Sequence, residues 1–314
     1  MKILVCGVGS IGERHINNLI SLGYEEIILY RSSNSKLRSI KNNLQTFSDL
    51  SIALKEKPDI ALITNPTSLH IDTAIECAKA NCHLFIEKPL SNNLNKVDVL
   101  SNLVSEKKLV CMVGFMYRYH PLIKKIKSII DGMSLGELIH IRSTWGEYLP
   151  DWHPWEDYRT SYAAKKNLGG GPFATLSHDI DLAIWFADSG IKKSINFENY
   201  NSDLEVDTSH GNDILIEFNN GVTANIHVDF FQKPYRKEYE VIFKGGRVKF
   251  DYYENKLEVF YQDGTKKTLT ADNFDRNDMF IDEVKDFIYS VLNQKESPLS
   301  ILESKKLIEL INHN

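Results

Sequence analysis

A chain of 314 residues with a net charge of −5 and a pI near 6.1 suits two ordinary domains and has no overall basic field for a phosphate backbone, which argues against nucleic acid as a partner. Apolar residues at 42% and charged residues at 25% place it among globular proteins and away from disordered or fibrous ones. Its apolar runs fall far short of the roughly 20 residues that cross a bilayer, so the expectation is a cytoplasmic protein with no membrane partner.

From residue 2 to residue 114, short apolar runs (2–6, 27–30, 60–64, 83–86 and 110–114) alternate with stretches of helical spacing (11–22, 51–57, 68–80 and 93–107). Ile71, Ala74, Ile75 and Ala78 illustrate that spacing. The pattern predicts a parallel sheet wrapped on both faces by right-handed crossovers, an α/β Rossmann domain over residues 1–119. A helix is expected at 122–131, and after it the texture changes. Strand-like runs at 138–145, 213–218, 223–230, 239–244, 248–252 and 256–261 are separated by turn signals such as Asn219-Asn220-Gly221, Gly245-Gly246 and Asp263-Gly264. These favour antiparallel hairpins, so residues 120–314 are expected to form an α+β domain with a largely antiparallel open sheet, closed by helices at 278–292 and 301–311. Cys6, Cys77, Cys82 and Cys111 lie in apolar segments with no C-x-x-C spacing, which suggests neither a disulfide framework nor a zinc knuckle.

Chemistry enters with Gly7, Gly9 and Gly12, which form G-V-G-S-I-G directly after the first strand. The first glycine allows a tight turn, the second lets backbone approach a pyrophosphate, and the third permits close helix-to-strand packing. Ser10 and Ile11 then open a helix whose free N–H groups can receive the phosphates. A site for NAD usually carries an acid about 20 residues further on, at the tip of the second strand, but here that tip reads Tyr30-Arg31-Ser32. A guanidinium offers a planar fork of donors to a 2′-phosphate, so the expected cofactor is NADP, with NAD as the alternative. Asn65 and Pro66 end the third major strand and His70 enters the next helix, positions suited to cofactor contacts or simply to a turn. Glu87-Lys88-Pro89 follows the fourth, at the carboxyl edge where ligands of open α/β sheets collect. A lysine partly desolvated there loses basicity and can exchange a proton with a substrate hydroxyl.

Four blocks together resemble the glucose-fructose oxidoreductase/inositol dehydrogenase (Gfo/Idh/MocA) family: G-V-G-S-I-G-E-R-H, T-N-P-T-S-L-H at 64–70, E-K-P-L at 87–90 and G-G-G-P-F-A-T-L-S-H-D-I-D-L at 169–182. G-F-M-Y-R-Y-H-P at 114–121 is similar to that family's bridge between domains. The resemblance implies a Rossmann domain followed by an α/β domain whose open sheet supports oligomer contacts, hence a homo-oligomer, dimer or tetramer. It also implies that Lys88 is the catalytic lysine, that Glu87 and Lys88 stand beside the cofactor, and that His178 faces the substrate hydroxyl. Asp181 would orient the imidazole or serve as a local contact. Many members carry an aspartate three or four residues before this histidine, where the present chain has Ala174 and Thr175. A hydroxyl at Thr175 can bond a substrate but cannot take up a proton near neutral pH.

Arg118 and Tyr119 at the bridge, and Trp152 and Tyr158 in the aromatic stretch 145–168, are the remaining candidates for substrate contact. Polar aromatics and cations suit a sugar or nucleotide sugar, of the kind used in surface glycans, although the same aromatics could simply pack a loop and Arg118 could form a structural ion pair. The expected activity is therefore hydride transfer between a nicotinamide cofactor and a sugar CH–OH group. A non-catalytic NADP-binding sensor is the alternative, since fold alone does not fix function. Hydrolysis by a metal held on His178, Asp179 and Asp181 lacks any recognised ligand spacing, and no metal is expected.

Overall fold

The structure, a computed structural model, describes residues 1–31, 39–40 and 43–312 and divides them into two compact units. The first comprises Met1–Phe115 and Asn277–Ile308. Its strands are β1 (Ile3–Cys6), β2 (Ile27–Tyr30), β3 (Thr46–Phe47), β4 (Ile60–Ile63), β5 (His83–Glu87) and β6 (Cys111–Gly114). Among the described residues they form one parallel sheet in the order β3-β2-β1-β4-β5-β6. Strands β1 and β4 are apolar and buried along their whole length, as a sheet covered on both faces requires. Because the chain runs outward from β1 to β3 and then crosses back to β4, the order reverses between β1 and β4. Ligands of open α/β sheets bind outside the carboxyl ends of the strands at such a switch point.

Helices α1 (Ser10–Ser21), α2 (Leu50–Lys55), α3 (His70–Lys79) and α4 (Val97–Glu106) connect these strands. The helix expected from residue 93 starts only at Val97, because Lys96 adopts a left-handed backbone with φ of 61° and interrupts the α-helical path. Strand β3, too short to show periodicity, was not foreseen.

The second unit comprises Met116–Arg276 and the last residues from Glu309. It holds α5 (Pro121–Asp131), β7 (Leu138–Tyr148), α6 (Pro172–Thr175), α7 (His178–Ala187), β8 (Ile191–Asn199), β9 (Gly211–Phe218), β10 (Thr223–Asp229), β11 (Phe231–Phe243), β12 (Gly246–Asp251), β13 (Lys256–Tyr261) and β14 (Lys266–Thr270). These strands form a sheet in the order β14-β13-β12-β11-β7-β10-β9-β8, antiparallel except where β10 runs parallel to β7. The fold is thus a parallel Rossmann sheet followed by a largely antiparallel open one. Strand β11 begins eight residues earlier than its apolar pattern suggested, because Gln232 to Glu238 is polar and contains Pro234. Pairing with β7 holds that stretch extended, with a register shift between Phe231 and Arg236.

Helices α8 (Arg276–Leu292) and α9 (Ile301–Asn312) follow. The sequence reading assigned this stretch to the second domain, whereas Asn277–Ile308 groups with the first unit. The physical reason lies in the buried face of α8: Phe287 packs edge-on against Phe85 of β5, and Phe280 against His15 of α1. No helix among the described residues is long and apolar enough to cross a membrane, and the four cysteines are buried thiols outside any disulfide.

Candidate active site

The turn after β1 lies at the switch point. Gly7 has φ of +95°, and a Cβ built there would lie 2.5 Å from the backbone of Asn65 after β4. At Gly12 a Cβ would stand 2.3 Å from the carbonyl oxygen of Gly7, so helix α1 approaches β1 only because this residue lacks a side chain. Gly9 is different: a Cβ there meets nothing within 4 Å. Gly9 caps α1 without any side-chain bond, and Ser10 beside it is exposed. Helix α1 thus begins at an exposed turn, and a helix N-terminus is where a pyrophosphate is received. A Gly12→Ala variant is expected to lose about 1–3 kcal/mol of stability by overpacking, read from denaturant unfolding, and to bind dinucleotide more weakly. An unchanged midpoint would show that α1 can shift without cost.

Around this turn, the Thr64 hydroxyl donates to the Gly7 carbonyl, and the Asn65 amide donates to Thr73 at 2.9 Å. Pro66 opens the short turn leading into α3. His70 is buried, with Nδ1 2.9 Å from the Pro89 carbonyl and Nε2 2.8 Å from that of Asn65. Burial lowers its pKa from the ordinary histidine value, against the pull of those two carbonyls. The ring thus ties the loop after β4 to the loop after β5, and its nitrogens are directed at protein atoms. At the tip of β2, Arg31 is half-buried and its N–H bonds the Phe47 carbonyl at 3.0 Å. Ser32 lies outside the described residues. Beyond β5, Lys88 is half-buried, while the Glu87 carboxylate turns inward to accept from the Lys88 amide at 3.2 Å and to meet His15 Nε2 at 2.7 Å.

In the second unit, His178 opens α7 and is 2% exposed. Its ring stacks on Trp145 of β7 at 6.0 Å between centroids and meets Tyr117 edge-on at 4.7 Å. Behind those rings lies a group that the sequence reading missed. Lys237 of β11 is 1% exposed, with Nζ 3.1 Å from the Trp145 ring centroid, 3.7 Å from that of Tyr117 and 3.0 Å from Asp179 Oδ2. Asp179 also accepts from the Ser143 hydroxyl. Burial pushes Lys237 down to about 8, and Asp179 resists that shift. Burial likewise holds the Tyr117 hydroxyl well above its usual range, so this phenol stays neutral. No signal in the run Arg236-Lys237-Glu238 distinguishes Lys237 from its more accessible neighbours; only the side-to-side alternation of β11 turns it inward.

Arg118 and Asp181, both expected near substrate, bond each other: the guanidinium donates to the two carboxylate oxygens at 2.8 and 2.6 Å and lies over Trp185. This fixes the start of α7 to the segment before α5. Tyr119 is half-buried beneath Lys124 Nζ at 5.0 Å. His120 caps α5 by accepting from the Leu122 amide, and burial pushes it down to about 4. Trp152 packs edge-on against Phe230, and the Tyr158 hydroxyl accepts from the Glu205 amide at 3.1 Å. Both therefore fasten the aromatic loop to its own unit, while Trp155 is 67% exposed. Thr175 is buried in α6, and its N–H bonds the Gly171 carbonyl at 3.0 Å.

A parallel sheet with a glycine turn at its switch point, opening directly into a helix, defines a dinucleotide-binding Rossmann protein. A family model described as "Oxidoreductase family, NAD-binding Rossmann fold" matches residues 1–115, and the "GFO/IDH/MocA C-terminal domain" model matches residues 123–249. The chain belongs to the Gfo/Idh/MocA family of oxidoreductases. It is 27% identical over 284 residues to myo-inositol 2-dehydrogenase of Thermotoga maritima, which covers 87% of this chain and 75% of the relative. Among solved structures, myo-inositol 2-dehydrogenase of Lactobacillus plantarum superposes with a TM-score of 0.83 at 23% identity, covering 99% of this chain and 95% of that one. A levoglucosan dehydrogenase in complex with NADH gives 0.86 at 18% identity over the same shares.

Proposed function

We propose that this protein is a cytoplasmic, homo-oligomeric dehydrogenase that moves hydride between a nicotinamide dinucleotide and a CH–OH carbon of a sugar or nucleotide sugar, as in surface-glycan synthesis. The observation that carries this reading is Lys88, half-buried at the carboxyl end of β5 in the same sheet as the glycine cradle. The cradle fits the cofactor, since the space beside Gly9 is open while Gly7 and Gly12 are closed to any side chain. Relatives named inositol dehydrogenases support a polyhydroxylated substrate.

Bound nicotinamide would supply the hydride acceptor at its ring carbon C4. In the oxidative direction, Lys88 Nζ takes the proton of the substrate hydroxyl as the carbonyl forms, and the family resemblance gives His178 the role of a contact to a substrate hydroxyl. Thr175 substitutes a hydroxyl contact for the aspartate common in the family. Asn65 and Pro66 stand in the loop after β4 beside Gly7, next to the cradle, and Tyr119 remains a candidate for substrate contact.

Arg31 and Ser32 favour NADP(H) over NAD(H). The test is nicotinamide absorbance with both cofactors against a panel of polyols, sugars and nucleotide sugars. Turnover on a member of that panel is expected, while cofactor binding without turnover on any would favour a sensor. Arg31→Ala should weaken NADP(H) by about 10- to 100-fold, the loss of one charge-assisted bond, and leave NAD(H) nearly unchanged. Equal losses would sink the phosphate assignment.

A further inference from the structure

Three ionisable side chains meet inside the first unit, beneath the backbone of Lys88. His15 of α1 is 0% exposed, Glu283 of α8 is 0% and Glu87 of β5 is 7%. One ligating atom from each lies within 4.8 Å of the others. Glu87 is fully engaged: Oε1 meets His15 Nε2 at 2.7 Å and Oε2 accepts from the Lys88 amide at 3.2 Å. Glu283 is the opposite case, for neither of its oxygens has a hydrogen-bond partner. The surroundings are apolar, with Phe85 and Phe280 edge-on to His15 and Phe287 beyond. Gly114 of β6 borders the same place: a Cβ there would press on the Phe85 ring at 2.8 Å and lie in ordinary contact with Glu283 Oε2 at 3.6 Å.

Charge accounting decides what state such a cluster adopts. One imidazole can balance one carboxylate, and a second bare carboxylate in an apolar site costs several kcal/mol unless it is neutralised. Burial and the neighbouring Glu87 both raise the Glu283 pKa well above the ordinary carboxylate range. His15 and Glu87 are the titratable groups that face it from α1 and β5.

We propose that Glu283 is a positioning residue: a neutral carboxylic acid whose O–H is turned towards Glu87, locking that carboxylate onto His15 and the Lys88 amide and so fixing where Lys88 begins. The part concerning Lys88 as a catalytic group rests on the function proposed above; the shared proton does not.

Infrared difference spectroscopy of the whole protein at pH 7 reads this proton without substrate or cofactor. A C=O band of a protonated carboxyl that vanishes in Glu283→Gln is expected. Its absence from the wild type, or one tightly held divalent ion per chain by metal analysis, overturns the proposal. The positioning is read at the Lys88 amide proton by NMR: Glu283→Gln, which still donates, should keep its shift, and Glu283→Leu should move it. In steady-state assays Gln should hold kcat within about 3-fold, while Leu lowers it about 10-fold or more with cofactor KM little changed, the scale of one lost hydrogen bond. Equal behaviour of the Gln and Leu variants, in either readout, overturns the positioning role. If the wild type turns over no substrate, the dehydrogenase reading fails while the infrared and NMR results still decide this one.

Discussion

Replacing Lys88 with Ala is expected to lower kcat by about 100-fold or more, the usual scale for removing a proton-transfer group and equivalent to about 2.7 kcal/mol of barrier. The cofactor should still bind, because the cradle is made of backbone at Gly7, Gly9 and the first turn of α1. Fluorescence titration with the reduced cofactor checks that half of the expectation. The pH profile gives a second readout. A lysine accepts a proton only when it is itself deprotonated, so oxidation should rise with pH along a limb that the alanine variant lacks. Turnover equal to that of the wild type would remove Lys88 from the chemistry.

The second large effect is expected at Lys237. Its ammonium is enclosed by Trp145 and Tyr117 and bonded to a buried Asp179. Changing Lys237 to Met keeps the length of the side chain but leaves Asp179 as a buried charge without its cation, the Ser143 hydroxyl still donating to it. Breaking such a pair costs about 3–5 kcal/mol, which urea unfolding would register as an earlier midpoint. Adding Asp179→Asn should recover much of that loss, since a pair removed together leaves no bare charge. A single variant within 1 kcal/mol of wild type would overturn this account, that figure being about the worth of an exposed pair.

The pH dependence of the same pair has a defined sign. Lys237 falls to about 8 in the fold from 10.5. Between those values the unfolded chain holds the proton that the folded chain has released, so this group makes stability rise with pH across the window. Below about 8 both states are protonated, and the cost of enclosing the ammonium is carried in full. Lys237→Met should flatten that part of the profile.

Much of the first unit was legible because its signals are local. G-V-G-S-I-G announces a turn between a strand and a helix, and the short apolar runs of β1, β2, β4, β5 and β6 announce strands covered on both faces. Lys88 and His178 stood out because they belong to blocks that the family resemblance reads directly. Other residues carry no such mark. Glu283 sits in an ordinary helical stretch, and Lys237 lies in a charged run that reads as surface. Arg118 read as a substrate contact or a structural ion pair and Asp181 as a partner of His178 or a local contact, and nothing in the sequence said that the two bond each other across 63 positions.

By itself, then, the sequence determined the fold class, the place of the glycine turn between the first strand and helix, and the identity of the oxidoreductase family. These follow from spacing within a few residues, where backbone geometry dictates which residue types are tolerated. Tertiary structure alone decided that α8 returns to the first unit, that Lys237 is enclosed beside His178's aromatic neighbours, and that Glu87, His15 and Glu283 form one buried cluster. Whether a charge is buried, and with whom, depends on which distant segments pack over it, and that information is spread across the whole chain rather than written near the residue.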